Sequence, residues 1–126
     1  MTQKSRKISR KGLVRKLDAI VKQIVIARDG KCIVCGTTQN LTPGHLFSRV
    51  AYSTRWDLDN VYAQCLNCNF RHESDPYPMQ RAATMIHFNK GNLTWIEDIH
   101  FKYVHPVKYK DFQLQELLDQ LESLVR

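Results

Sequence analysis

The sequence predicts an α+β fold in which a small cysteine-stapled core of two strands and a helix is wrapped by longer helices. Three observations predict it. Two C-x-x-C pairs, Cys32/Cys35 and Cys65/Cys68, bracket a punctuated stretch with no long periodic run. Two segments in that stretch read as strands. Outside it, apolar residues recur at helical spacing. The 126 residues fit one domain. Its organisation reads as a basic disordered arm over 1–11 and one domain over 12–126, with a core at about 31–75 and C-terminal helices at about 79–126.

The first helix is expected from Gly12 to Arg28, where Leu13, Leu17, Ile20, Val21, Ile24 and Val25 form one apolar face. Asp29-Gly30 ends it with a turn signal. Leu41–His45 reads as a short strand, and Pro43 keeps it from being a well-paired central one. Asn60–Gln64 is the better strand, with β-branched and aromatic content. A short helix is expected just beyond Cys68, and Asp75-Pro76-Tyr77-Pro78 breaks the chain after it. Met79 to Asn89 reads as a helix closed by Lys90-Gly91. Thr94-Trp95-Ile96-Glu97 has the form of a capping box, which starts another helix at about Trp95, ended by His105-Pro106. From about Asp111, Phe112, Leu114, Leu117, Leu118, Leu121, Leu124 and Val125 make a final amphipathic helix. Its stripe either covers the core or pairs with a second copy, which makes a homodimer an expectation to test.

No apolar run approaches the roughly 20 residues that cross a bilayer. The basic N-terminus lacks the apolar stretch of a secretory signal. A soluble intracellular protein is expected, and with it a reducing compartment in which cysteine pairs hold metal rather than disulfides. Structural zinc takes four soft ligands in a tetrahedron, and each C-x-x-C turn presents two thiolates to one side of the ion. Gly36, trailing Cys35, permits the tight turn. Cys32, Cys35, Cys65 and Cys68 are therefore the expected ligands of a structural Zn²⁺ that supplies folding energy to an apolar-poor segment. The 29 residues between Cys35 and Cys65 exceed the spacing of a simple zinc ribbon, so this stretch must form something more.

The net charge is +7 and unevenly spread. Lys4, Arg6, Lys7, Arg10, Lys11, Arg15 and Lys16 all precede the first acid, Asp18, and the rest of the chain balances. Such a basic arm suits a polyanion, either nucleic acid or an anionic membrane surface. Arg49, Arg55, Arg71 and Arg81 flank the cysteine segment and are candidates to grip phosphate. Tyr52 and Trp56 lie among them, to stack on unpaired bases or to pack around a small core.

In order, Cys32-x-x-Cys35, Gly44-His45, Asp59-Asn60-Val61 and Gln64-Cys65-x-x-Cys68-Asn69 resemble an HNH endonuclease core, the ββα-metal or His-Me finger, with its two zinc knuckles. Arg55-Trp56-Asp57-Leu58-Asp59-Asn60-Val61 and Leu93-Thr94-Trp95-Ile96-Glu97 extend a closer resemblance, over about residues 15–123, to the phage NinG (Rap) recombination nucleases. That resemblance implies a divalent-metal-dependent endonuclease acting on branched or recombination-intermediate DNA, in the cytoplasm of a bacterial host cell. His45 would be the general base, since a histidine near neutral pKa suits water activation. Asn60 would orient its ring. Asn69 best matches the slot that holds the catalytic Mg²⁺ or Mn²⁺, with His72, one turn on, and His45 as further ligands. Many HNH domains carry a metal-binding Asp or His just before the catalytic histidine, and here that position is Gly44, which leaves His45 itself, His72, Asp75 or water to complete the metal shell. His87, His100 and His105 lie outside this framework and are expected to be structural or exposed. The alternatives are a zinc-stabilised DNA-binding protein without catalysis and an adaptor for recombination proteins.

Overall fold

The computed structural model describes residues 8–125. The elements run α1 (Arg10–Asp29), β1 (Leu41–His45), α2 (Tyr52–Arg55), β2 (Val61–Cys65), α3 (Leu66–His72), α4 (Tyr77–Asn89), α5 (Trp95–Val104) and α6 (Asp111–Ser123). The α+β class holds: helices surround one antiparallel pair, β1 against β2, in which His45 lies opposite Val61, Gly44 opposite Tyr62 and Leu41 opposite Cys65.

A two-stranded ribbon is marginal in water unless its faces are covered. Here both are. Val61 and Ala63 join Leu13, Leu17, Ile20, Val21 and Val25 of α1 and Leu114, Leu118 and Leu121 of α6 in one cluster. Tyr62, alternating to the other face, joins Met79, Ala83, Trp95 and Ile99 of α4 and α5 in a second. The α6 stripe thus covers this chain's own core. The outer edge of β2 has no neighbouring strand, and α1 and the loop after it serve that edge instead. Arg28 Nη2 donates to the Val61 carbonyl at 2.8 Å, Asp29 Oδ2 accepts from the Ala63 N–H at 2.8 Å, and the Ile33 N–H donates to the Ala63 carbonyl at 3.0 Å. Asp29 is therefore a sheet-edge partner as well as the last residue of α1. Gly30, at φ 70°, closes that helix with its N–H on the Ile26 carbonyl.

Several boundaries differ from the sequence reading. α1 starts at Arg10, because the Ser9 hydroxyl accepts from the Gly12 N–H and extends the helix backwards. Arg10 and Lys11 are accordingly helical rather than part of an arm, while Lys4, Arg6 and Lys7 lie outside the described residues. The helix expected beyond Cys68 begins at Leu66, since Cys65 already caps it: its sulfur accepts from the Cys68 N–H. α5 starts at Trp95 as expected, but without a capping box. Thr94 has φ −105° and ψ 8° rather than an extended conformation, so its hydroxyl reaches the Asp98 carboxylate at 3.0 Å. Asn60 precedes β2 instead of opening it. Pro43 stands inside β1, which the open edge of a two-stranded sheet tolerates.

Leu17 is completely buried where α1 meets both strands and α6. Leu17→Ala is expected to cost about 2–5 kcal/mol of unfolding free energy in a urea titration.

Candidate functional site

The four cysteines converge. Their sulfurs all lie within 4.8 Å of one another, with Cys35 Sγ and Cys65 Sγ 3.7 Å apart. Zinc–sulfur bonds of about 2.3 Å in a tetrahedron put sulfurs roughly 3.8 Å apart, so the spacing fits one ion and is far too long for disulfides. The two knuckles are built alike. The Cys35 N–H donates to Cys32 Sγ at 3.5 Å, and the Cys68 N–H donates to Cys65 Sγ at 3.4 Å. Gly36, at φ 83°, lets the first turn close with its N–H on the Cys32 carbonyl. Cys32, Cys65 and Cys68 are buried and Cys35 is exposed. Among the described residues this is the one group of three or more His, Cys, Asp or Glu side chains close enough to hold an ion.

His45 ends β1 on the face toward α1. It lines a cavity of about 50 Å³ with Asp18, Val21, Pro43, Arg49 and Arg55, enough for water. Its Nε2 lies 2.9 Å from the Arg55 carbonyl. A carbonyl only accepts, so Nε2 carries the hydrogen and Nδ1 keeps the lone pair. Burial pushes the His45 imidazole below the ordinary histidine range, helped by the charges of Arg49 and Arg55 and opposed by the Arg55 carbonyl and Asp18. The ring is neutral at neutral pH, with a basic nitrogen free of hydrogen bonds among the described residues.

Asn60 is fully buried and does not touch His45. Its Oδ1 accepts from the Phe47 N–H at 2.9 Å, and its Nδ2 donates to the carbonyls of Phe47 and Thr54 at 3.1 and 3.0 Å. It pins the loop between the strands at both ends. The residue after Thr54 supplies the carbonyl that holds the His45 ring.

The expected cation ligands do not gather around His45. Asn69 and His72 sit on α3, on the opposite face of the hairpin. Asn69 Nδ2 donates to the Thr42 hydroxyl at 3.1 Å, and His72 Nε2 donates to the Leu46 carbonyl at 3.0 Å. Thr42 and Gly44 face α3, and His45, next in the strand, faces away. His72 Nδ1 is buried without a hydrogen-bond partner, as is Gln64 Oε1.

The arginines divide. Arg55 grips Asp18 with two nitrogens, Nε at 3.0 Å and Nη2 at 2.7 Å, and leans over Tyr52 and Trp56. It is a structural clamp, spent before a phosphate arrives. Burial pushes the Asp18 carboxyl up, but hydrogen bonds from Arg55 and Trp56 and the Arg55 charge outweigh it and hold the group below its usual range. Trp56 is buried, and Tyr52 packs against it at 4.8 Å, so neither is presented for base stacking. Arg49, Arg71 and Arg81 are exposed, while Arg10 pairs with Asp111 at 2.9 Å. His87 is buried, stacked on Trp95 and bonded to the Tyr62 hydroxyl; His100 and His105 are exposed. The sequence reading missed Asp18 and Gln64. Asp18 is an acid on the buried side of a helix, which hinted at a partner. Gln64 carried no signal until the strand register was known.

Stripping metal from the four-cysteine site with a chelator, or changing Cys32 or Cys68 to Ser, is expected to unfold residues 31–75. Metal analysis should find one zinc per chain, and a melting curve unchanged after complete metal removal would refute the role.

No curated protein and no solved structure matches this chain. Among the described residues no helix is long and apolar enough to cross a membrane. The family model described as Bacteriophage Lambda NinG protein matches residues 1–124, nearly the whole chain, including both cysteine knuckles and the hairpin between them. The chain therefore belongs to the phage lambda NinG protein family.

Proposed function

We propose that this chain is an HNH-type DNA endonuclease that hydrolyses phosphodiester bonds in branched or recombination-intermediate DNA, with His45 as its general base. The observation that carries the reading is the state of that ring. A base must be unprotonated at working pH and must offer a lone pair to the proton it takes. The Arg55 carbonyl holds the Nε2 hydrogen, burial keeps the ring neutral, and Nδ1 is left open beside a water-sized cavity. Nδ1 would take a proton from water as the oxygen attacks phosphorus, the P–O bond to the leaving sugar oxygen would break, and that oxygen would take a proton from solvent water. Arg49, exposed on the same cavity, suits the phosphate oxygens. Lys11, Arg15 and Lys16, exposed on α1, and a net charge of +7 support a nucleic-acid partner. A divalent cation, Mg²⁺ or Mn²⁺, would when bound neutralise charge developing on the phosphate.

A second reading, a zinc-stabilised DNA-binding protein without catalysis, is favoured by one observation. Gly44 offers no ligand, and the α3 side chains face away from His45 across the hairpin.

A plasmid and a four-way junction incubated with Mg²⁺ or Mn²⁺ separate the two. His45→Ala is expected to lower the cleavage rate about 10²- to 10⁴-fold while leaving DNA affinity intact. Binding without cutting by the parent would establish the second reading. The pH profile is a further check. The folded pKa of His45 lies below the ordinary 6.5, so the neutral base persists as pH falls through 6.5, and cleavage should decline only below that value. The same sign holds for stability: the unfolded ring binds its proton first, so acid costs folding free energy from about pH 6.5 downward.

A further inference from the structure

The His45 ring is oriented by the backbone carbonyl of Arg55, and that carbonyl stands at the end of an element too short to hold itself. α2 is a single turn of four residues, with no side-chain cap at its start. One turn fixes several dihedral angles for one hydrogen bond, so it depends on contacts from elsewhere. The carbonyls of a last helical turn also lack partners within the helix. Asn60 holds the carbonyl one residue earlier, that of Thr54. The position of the Arg55 carbonyl then rests on whatever holds the peptide unit that carries it, the one linking Arg55 to Trp56.

Asp18 holds the side chain on each side of that peptide. Its Oδ1 accepts from Arg55 Nε at 3.0 Å and from Trp56 Nε1 at 2.8 Å, and its Oδ2 accepts from Arg55 Nη2 at 2.7 Å. A guanidinium and an indole thus leave adjacent residues and meet again on one carboxylate. Paired, charge-assisted bonds of this kind are directional as well as strong. The guanidinium also lies over the rings of Tyr52 and Trp56, 5.6 and 5.5 Å from their centroids. The carboxylate has a firm base. It stands on the long helix α1, beside Leu17 and one turn before Val21, both buried in the core. Asp18, Val21 and His45 line the same small cavity.

We infer that Asp18 is a positioning residue for His45: by gripping Arg55 and Trp56 together it fixes the peptide between them, and the carbonyl of that peptide keeps the imidazole hydrogen on Nε2 and leaves Nδ1 with its lone pair. The reference point for the ring is then α1, outside the hairpin and its cysteine knuckles. A carboxylate that accepts three hydrogen bonds from two neighbouring side chains has a task there beyond neutralising one arginine. The consequence for cleavage rests on the nuclease reading; the consequence for the ring does not.

The test follows the histidine rings by nitrogen NMR in the full chain, with zinc in place and no DNA. In the parent at neutral pH the His45 Nε2–H is expected to exchange slowly with water, and Nδ1 to show the shift of an unprotonated nitrogen. Asp18→Asn keeps the size of the side chain but sets an amide N–H where an acceptor stood. It should speed that exchange about tenfold, the factor that losing one charge-assisted hydrogen bond gives, and move the two nitrogen shifts toward each other as the ring samples both tautomers. Arg55→Lys keeps the backbone carbonyl and the charge but loses the two-point grip. It should do the same, and it decides the matter if Asp18→Asn fails to fold. Asp111→Asn removes the exposed ion pair that α1 makes through Arg10, and should leave the His45 signals as in the parent. Signals unaltered in Asp18→Asn and Arg55→Lys overturn the inference, as does an equal change in Asp111→Asn. On a junction that the parent cuts, Asp18→Asn should lower kcat about 10- to 100-fold with KM and DNA affinity unchanged. A parent that cuts nothing, while its ring signals respond to Asp18→Asn, sinks the nuclease reading and leaves this inference standing. His45-dependent cleavage with ring signals indifferent to Asp18 does the reverse.

Discussion

Four sulfurs gathered within 4.8 Å tie the loop before β1 to the junction of β2 and α3. Everything between them is short: two strands of five residues and a helix of four. A ribbon of that size does not hold its register alone. The sulfur cage anchors one end of the pairing, where Leu41 meets Cys65, and the helices press on both faces. Zinc, the ion these thiolates fit, would replace the hydrophobic burial that this stretch lacks.

At the other end of the hairpin, the constraint is a polar relay. Asn60 spends its whole carboxamide on the loop between the strands, and that loop presents the Arg55 carbonyl to His45. The guanidinium of Arg55 is meanwhile clamped by Asp18, which also accepts from Trp56 Nε1 at 2.8 Å. One residue thus serves twice: its side chain locks the loop to α1, and its backbone fixes which imidazole nitrogen bears hydrogen. The histidine is held between the strand it ends, the loop that follows and a helix 27 residues earlier in the chain. That crowding accounts for both its depressed pKa and its fixed tautomer.

The fold was readable where physical signals are local. Helical periodicity placed α1 and α6, and break, stop and cap signals placed α4 and α5, to within about two residues, and the C-x-x-C spacing placed the thiolate cluster. Boundaries slipped where a cap decided them, at Ser9 and at Cys65, and at Thr94 the boundary held without its capping box, because a cap depends on φ and ψ as well as on residue type. The candidate site was readable only in part. His45 was singled out from its neighbours in sequence, and the structure places it at a small cavity with Nε2 on the Arg55 carbonyl. Arg55, taken as a candidate to grip phosphate, turns inward to Asp18 across 37 positions of the chain, and Trp56, for which packing was the favoured reading, joins it across 38. No pattern within a window of ten residues could report that pairing.

What the sequence by itself determined is the inventory: which segments are helical or extended, which four sulfurs belong together, and where the positive charge accumulates. Those properties follow from periodicity, spacing and composition, which are local. The tertiary structure alone decided which way each side chain faces. In a strand, neighbours point to opposite faces, so His45 and the α3 residues expected beside it are separated by one step of the chain. The pairing of Gly44 with Tyr62 brings Gln64 over the glycine, a contact that exists only once the two strands are in register. Facing is set by that register and by the helices that cover each side, and both are long-range consequences of folding.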